Sequence, residues 1–187
     1  MTILTPPNLV TLSRIALVAA AAAAFAAGAP VVAMGLGLAG GLTDYLDGYL
    51  ARRLGMATSL GAMLDQFADI FFAFVCLTLA LGPPVELSPV YLLLVTPREL
   101  WVQGIRREAA ARGHQIPSSR PGKWNAFFLC WGFLPLFAGA AGVWPPGRAV
   151  GEAMIALGCL LNFISGAQYT LAFVRITGRG RPPRAAA

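Results

Sequence analysis

The 187-residue sequence is 57% hydrophobic and 12% charged, with a mean hydropathy of +0.68, well above the roughly 45–50% apolar content of soluble domains. That composition excludes an ordinary soluble enzyme, and the length fits one membrane domain of about six helices at roughly 20 apolar residues per span. The net charge of +6 does not indicate nucleic acid as a partner, because the basic residues are scattered over short loops rather than gathered on an aromatic-studded surface.

Apolar runs separated by Pro, Gly or charge predict six spans, at 8–27, 31–53, 58–82, 88–111, 123–143 and 149–175. The first run is Ala-rich, but Arg14 sits inside it and no basic segment precedes it, so it reads as a span rather than a cleaved signal peptide. At its head Asn8, Thr11 and Arg14 recur every third residue and form a polar stripe on one helical face. Helix capping by Asn8 and snorkelling by Arg14 would produce the same stripe.

Span two carries Gly35, Gly37, Gly40 and Gly41, which with Gly61 and Ala62 of span three suit close helix approach. Span two also holds Asp44 and Asp47, and span three holds Asp65 and Asp69; at spacings of three and four, each pair shares a helical face. Reflection about the turn near residues 54–57 sets position 44 opposite 69 and 47 opposite 65, so the four carboxylates are expected to converge. Charges inside apolar spans are costly and mark function. Four clustered carboxylates repel one another unless cations are present, and oxygen ligands without His or Cys favour magnesium, manganese or calcium. Two divalent cations shared by four Asp is the simplest neutral arrangement, and such sites serve phosphoryl chemistry. Ion pairs with Arg14, Arg52, Arg53 or Arg98, or a proton or cation pathway through the bundle, remain the alternatives from spacing alone.

Span four contains Arg98 and, about two helical turns later and roughly on the same face, Arg106; Lys123 opens span five. These three cations form a candidate pocket beside the carboxylates, although Arg106 and Lys123 also suit a cytoplasmic loop. His114 lies in a basic loop and reads as a solvated residue. Cys76, Cys130 and Cys159 fall in apolar runs without the spacing of a zinc site or disulfide framework, and read as packing residues. Residues 1–177 form the expected membrane domain, and the basic, Pro-rich tail 178–187 is expected to be disordered or to lie against anionic headgroups.

An even number of spans puts both termini on one side. Arg52, Arg53, Arg106, Arg107, Arg112, Arg120, Lys123, Arg175, Arg179, Arg181 and Arg184 share that side, with Arg148 opposite, so the termini are expected to be cytoplasmic. The expected fold is therefore all-α: a polytopic membrane protein with six transmembrane helices and both termini in the cytoplasm.

The segment from Asp44 to Asp69 fits Asp-x2-Asp-Gly-x2-Ala-Arg-x8-Gly-x3-Asp-x3-Asp at every fixed position, through Asp44, Asp47, Gly48, Ala51, Arg52, Gly61, Asp65 and Asp69. It resembles the CDP-alcohol phosphatidyltransferase family. The resemblance implies transfer of a phosphatidyl group from CDP-diacylglycerol, or a related CDP-linked lipid, to an alcohol with release of CMP. It implies two divalent cations, Mg2+ or Mn2+, held by Asp44, Asp47, Asp65 and Asp69, with Asp69 also the general base. It further implies that Asn8, Gly48, Arg52, Thr58 and Gly61 contact the CDP-lipid, and that the protein works as a homodimer in the bilayer. A bacterial inner membrane, with the site toward the cytoplasm, is the expected location.

Within the family, Asn8-x2-Thr11-x2-Arg14 resembles the phosphatidylglycerophosphate synthase and cardiolipin synthase branches. Arg98-Glu99, Arg106, Gly122-Lys123 and Gln168-Tyr169 resemble elements of the former. The run departs after Lys123, where Trp124-Asn125-Ala126 stands in place of the further Lys and Thr frequent in that branch. The implied acceptor is sn-glycerol 3-phosphate, held by Arg14, Arg98, Arg106 and Lys123. A sibling transferase using phosphatidylglycerol, inositol phosphate or serine is the nearest alternative, and a cation or proton transporter the alternative of another class.

Overall fold

The computed structural model describes the backbone of residues 5–54 and 58–178; within those ranges the side chains at 44, 45, 47–52, 54 and 59 are outside the description. The described chain is all-helical. Its six helices are α1 (Pro6–Ala26), α2 (Pro30–Leu54), α3 (Ser59–Ala80), α4 (Val90–Ala111), α5 (Arg120–Ala140) and α6 (Gly147–Gly178). Each coincides with one of the six expected spans to within three residues at either end.

The boundaries have local causes. Pro at the first helical positions starts α1 and α5, where a missing N–H costs nothing. The Thr58 hydroxyl caps α3 by accepting from Gly61 N at 3.0 Å, and the Ser119 hydroxyl caps α5 by accepting from Gly122 N at 3.2 Å. Gly28, Gly113 and Gly142 take positive φ in the turns after α1, α4 and α5.

Three helices, α1, α3 and α6, are long and apolar enough throughout to cross a membrane. In α2 the apolar stretch runs from Pro30 to Thr43 and ends where the carboxylates begin. In α4, Arg98, Glu99, Arg106, Arg107 and Glu108 dilute the hydropathy of a 22-residue helix about 33 Å long.

The tightest packing joins α5 to α6. A Cβ placed on Gly139 would strike the backbone of Arg148, and one on Gly151 the backbone of Leu136, so these positions admit no side chain. The expectation of close packing at Gly35, Gly37 and Gly41 needs correction, because a Cβ at any of them would meet nothing within 4 Å. Gly40 does keep the expected contact, a Cβ there lying 3.6 Å from Val18 and 3.8 Å from Leu17 of α1; with Gly37 and Gly41 it also borders an apolar cavity of about 290 Å³ between α1, α2, α3 and α5. The hydrophobic core, including Leu77, Val95, Leu129, Phe133 and Ile155, gathers where α3 ends and α6 begins. The polar side chains gather at the other end of the bundle.

Candidate active site

The α1 stripe faces inward: Asn8, Thr11 and Arg14 are 2%, 3% and 2% exposed. The Thr11 hydroxyl donates back to the Pro7 carbonyl at 3.2 Å. Arg14 reaches across to α3, where Nη1 donates to Asp69 Oδ1 at 2.9 Å and Asp65 Oδ1 at 3.2 Å. Burial of a guanidinium is tolerable only with such partners. The two carboxylates are themselves about half exposed, at 47% and 56%.

Asn8, Thr58 and Gly61 come together at the start of α3. A Cβ on Gly61 would meet Asn8 Oδ1 at 2.8 Å and Thr58 Oγ1 at 3.1 Å, so the absent side chain keeps this corner open. The side chains of Asp44, Asp47 and Arg52, and the surroundings of Gly48, lie outside the described residues. Of the two Asp pairs expected to meet, the α3 pair is described, and its meeting with the α2 pair lies outside the described residues.

Beyond Asp69 lies a second cavity, of about 530 Å³, between α3, α4, α5 and α6. Arg98, Arg106 and Lys123 all line it, together with Asp69. Arg14 lines the apolar cavity instead, on the other side of Asp69. Arg98 is held by a fork of bonds: Nε donates to the Asn162 carbonyl at 2.9 Å, Nη1 to Glu99 and Nη2 to the Ser165 hydroxyl. Asn162 Nδ2 also donates to Glu99 Oε1, at 3.2 Å. Arg106 stacks over the buried Tyr169 ring, 5.5 Å from its centroid. Gln66 Nε2 donates to Gln103 Oε1 at 2.6 Å, linking α3 to α4 along the same wall.

The sequence reading had not singled out Asn162 and Ser165, and had named Glu99 only through its neighbour. A signal was present: Asn162, Ser165 and Tyr169 recur at three and four residues within an otherwise apolar helix, which places them on one face. Gln168, paired with Tyr169 in the sequence, is exposed, whereas Tyr169 points inward.

Among the described residues no three His, Cys, Asp or Glu side chains form a metal cage. The donor chemistry nevertheless fits a hard divalent cation as far as it is described. Asp65 and Asp69 each direct an oxygen at the same positively charged nitrogen, so two hard ligands already converge on one cationic centre.

A helical bundle with three membrane-length helices, in which Asp69 borders both an apolar cavity and one lined by three cations, fits the class of integral membrane enzymes. The sequence matches the CDP-alcohol phosphatidyltransferase family over residues 4–164, and the chain belongs to that family. A Rickettsia bellii protein named CDP-diacylglycerol--glycerol-3-phosphate 3-phosphatidyltransferase is 29% identical over 170 residues, covering 87% of this chain and 92% of its own. A Treponema pallidum protein of the same name is 33% identical over 155 residues, covering 75% of this chain and 71% of its own. A rice protein named cardiolipin synthase (CMP-forming) is 30% identical over 139 residues, covering 66% of this chain and 42% of its own.

Proposed function

We propose that this protein transfers the phosphatidyl group of CDP-diacylglycerol to sn-glycerol 3-phosphate, forming phosphatidylglycerophosphate and CMP. The observation that carries the reading is the cavity in which Arg98, Arg106 and Lys123 share walls with Asp69. Three cations suit the phosphate of the acceptor, and Asp69, on the wall of the same cavity, would take the proton of the acceptor's primary hydroxyl. As that proton leaves, the hydroxyl oxygen bonds to the lipid phosphorus and the phosphorus–oxygen bond to CMP breaks. Asp44, Asp47, Asp65 and Asp69 would hold two divalent cations, Mg2+ or Mn2+, which supply charge neutralisation at the pyrophosphate. Asn8, Gly48, Arg52, Thr58 and Gly61 serve the CDP-lipid, and the open corner at Gly61 supports that assignment. The apolar cavity on the Arg14 side of Asp69 suits part of the lipid. In this arrangement Arg14 acts toward the acceptor through the two carboxylates it holds.

The same reading takes all six helices across the bilayer with both termini cytoplasmic, following the basic residues. It places the enzyme in a bacterial inner membrane with its site toward the cytoplasm. The family resemblance is the ground for a homodimer. The test is CMP release by purified protein with magnesium and CDP-diacylglycerol across glycerol 3-phosphate, phosphatidylglycerol, inositol phosphate and serine. Release with glycerol 3-phosphate above all others supports the acceptor. Release only with another alcohol overturns the acceptor alone, whereas ion flux in liposomes with no CMP from any alcohol overturns the reaction.

A further inference from the structure

Among the polar side chains that line the cationic cavity without a task in the proposed chemistry, Asn125 is the one with a buried, unmatched oxygen. Asn125 lies on α5 two residues after Lys123, lines the cavity and is 5% exposed. Its Oδ1 is fully buried and accepts no hydrogen bond from any described residue. Buried carbonyl oxygens are nearly always paired, and leaving one unmatched costs about as much as losing a hydrogen bond. Two neighbours on the same wall have partners of their own: Arg98 is forked onto Asn162, Glu99 and Ser165, which leaves part of its guanidinium for a ligand, and Gln66 donates to Gln103. Asn125 also stands in the run where the sequence departs from the branch it most resembles.

We infer that Asn125 is a specificity-determining residue whose side-chain amide binds a second hydroxyl of the acceptor, distinct from the hydroxyl that reacts. The inference rests on the proposed acceptor, a phosphorylated polyol. Within that reading the groups divide by chemistry. The phosphate goes to Arg98, Arg106 and Lys123, because its oxygens are repelled by a carbonyl oxygen and drawn to cations. The reacting hydroxyl goes to Asp69. The remaining polar group of a three-carbon polyol phosphate is its central hydroxyl, which can donate to Oδ1 and accept from Nδ2. A site whose buried polar group is matched by a substrate hydroxyl rejects the analogue that lacks it, since the amide is then left unpaired.

The experiment compares glycerol 3-phosphate with 3-hydroxypropyl phosphate, which keeps the primary hydroxyl and the phosphate but lacks the central hydroxyl. Purified full-length protein, CDP-diacylglycerol and magnesium are used, and kcat/KM is read from CMP release. The wild type is expected to favour glycerol 3-phosphate by about tenfold or more. In Asn125→Leu, which keeps the branched shape and removes the polar atoms, the ratio is expected to fall to within about twofold, with the loss on the glycerol 3-phosphate arm. Asn125→Ala is expected to compress the ratio in the same way and serves if the Leu variant does not accumulate. Equal use of both acceptors by the wild type overturns the inference, as does a ratio that survives in either variant, the result expected if the amide binds only water. No CMP from the wild type with glycerol 3-phosphate overturns the acceptor reading and takes this inference with it.

Discussion

Replacing Arg98 with lysine separates the charge of this residue from its shape. The guanidinium spends three donors on three partners: the Asn162 carbonyl at 2.9 Å, Glu99 and Ser165. A lysine ammonium keeps the positive charge, so the overall field of the cavity is preserved, but it is a point donor on a flexible stem and cannot fork. At least two of the three bonds are lost. Charge-assisted bonds contribute about 1.5–3 kcal/mol each. The Arg98 side chain is 9% exposed, so its screening is small, whereas Glu99 at 26% is partly solvated, which puts the total near the low end, about 3 kcal/mol. For a chain of this size each kcal/mol shifts the midpoint by roughly 2–4 °C, giving an expected fall of about 6–12 °C. Thermal unfolding of the detergent-solubilised protein, followed by tryptophan fluorescence, reads the first effect, and KM for glycerol 3-phosphate is expected to rise alongside. Arg98→Met, which also strips Glu99 of its cation, is expected to lose more. A lysine variant within about 2 °C of the wild type and with unchanged acceptor KM would refute the argument that the fork matters.

Asp69→Asn is expected to abolish CMP release while leaving the unfolding midpoint close to wild type; retained turnover removes Asp69 from its role as base. Gly61→Ala brings a methyl group within 2.8 Å of Asn8 Oδ1, and its effect is expected on KM for CDP-diacylglycerol rather than for the acceptor, read from initial rates with each substrate varied in turn. Gly151→Ala drives a methyl into the Leu136 backbone and is expected to cost about 3 kcal/mol or more, by the strain of overpacking. Gly35→Ala, with nothing within 4 Å, is expected to be tolerated or to stabilise by roughly 0.5–1 kcal/mol through helix propensity. Midpoints of the two variants measured side by side check the contrast. Chelation with EDTA is expected to stop CMP release, and excess magnesium to restore it; turnover that persists without divalent ions counts against the metal assignment.

The helices were legible because hydropathy is a one-dimensional signal: apolar runs broken by Pro, Gly and charge marked all six, while their ends are set by local caps such as Thr58 and Ser119 that hydropathy does not register. The grouping of Arg98, Arg106 and Lys123 was also legible, since two residues on one face of α4 and one at the start of α5 line the same cavity. Partner choice was not. Spacing left Arg14 as one of four arginines able to pair with the carboxylates, and the resemblance gave it to the acceptor; which arginine pairs depends on the face of α1 that meets α3, and packing brings the Arg14 guanidinium onto Asp65 and Asp69. The glycines misled for a related reason. A glycine permits close approach without requiring it: the α5–α6 seam and Gly40 used that permission, whereas Gly35, Gly37 and Gly41 meet nothing within 4 Å. Asn162 and Ser165 went unnoticed because single polar residues in a long apolar helix carry little weight until a partner such as Arg98 is seen beside them.

Asp69 borders two compartments, one almost wholly apolar and one that adds three cations to its apolar walls, and among the residues common to both linings, Cys130 and Trp131 being the others, it alone carries charge. One consequence concerns units. A reactant that enters through the apolar side is sampled by its mole fraction among lipids, a two-dimensional quantity that bulk dilution does not change. A reactant that enters through the cationic side is sampled by its molarity in water. Occupancy at a single carboxylate is then set by two independent scales, so adding carrier lipid or detergent lowers the rate by surface dilution of one reactant while leaving saturation by the other untouched.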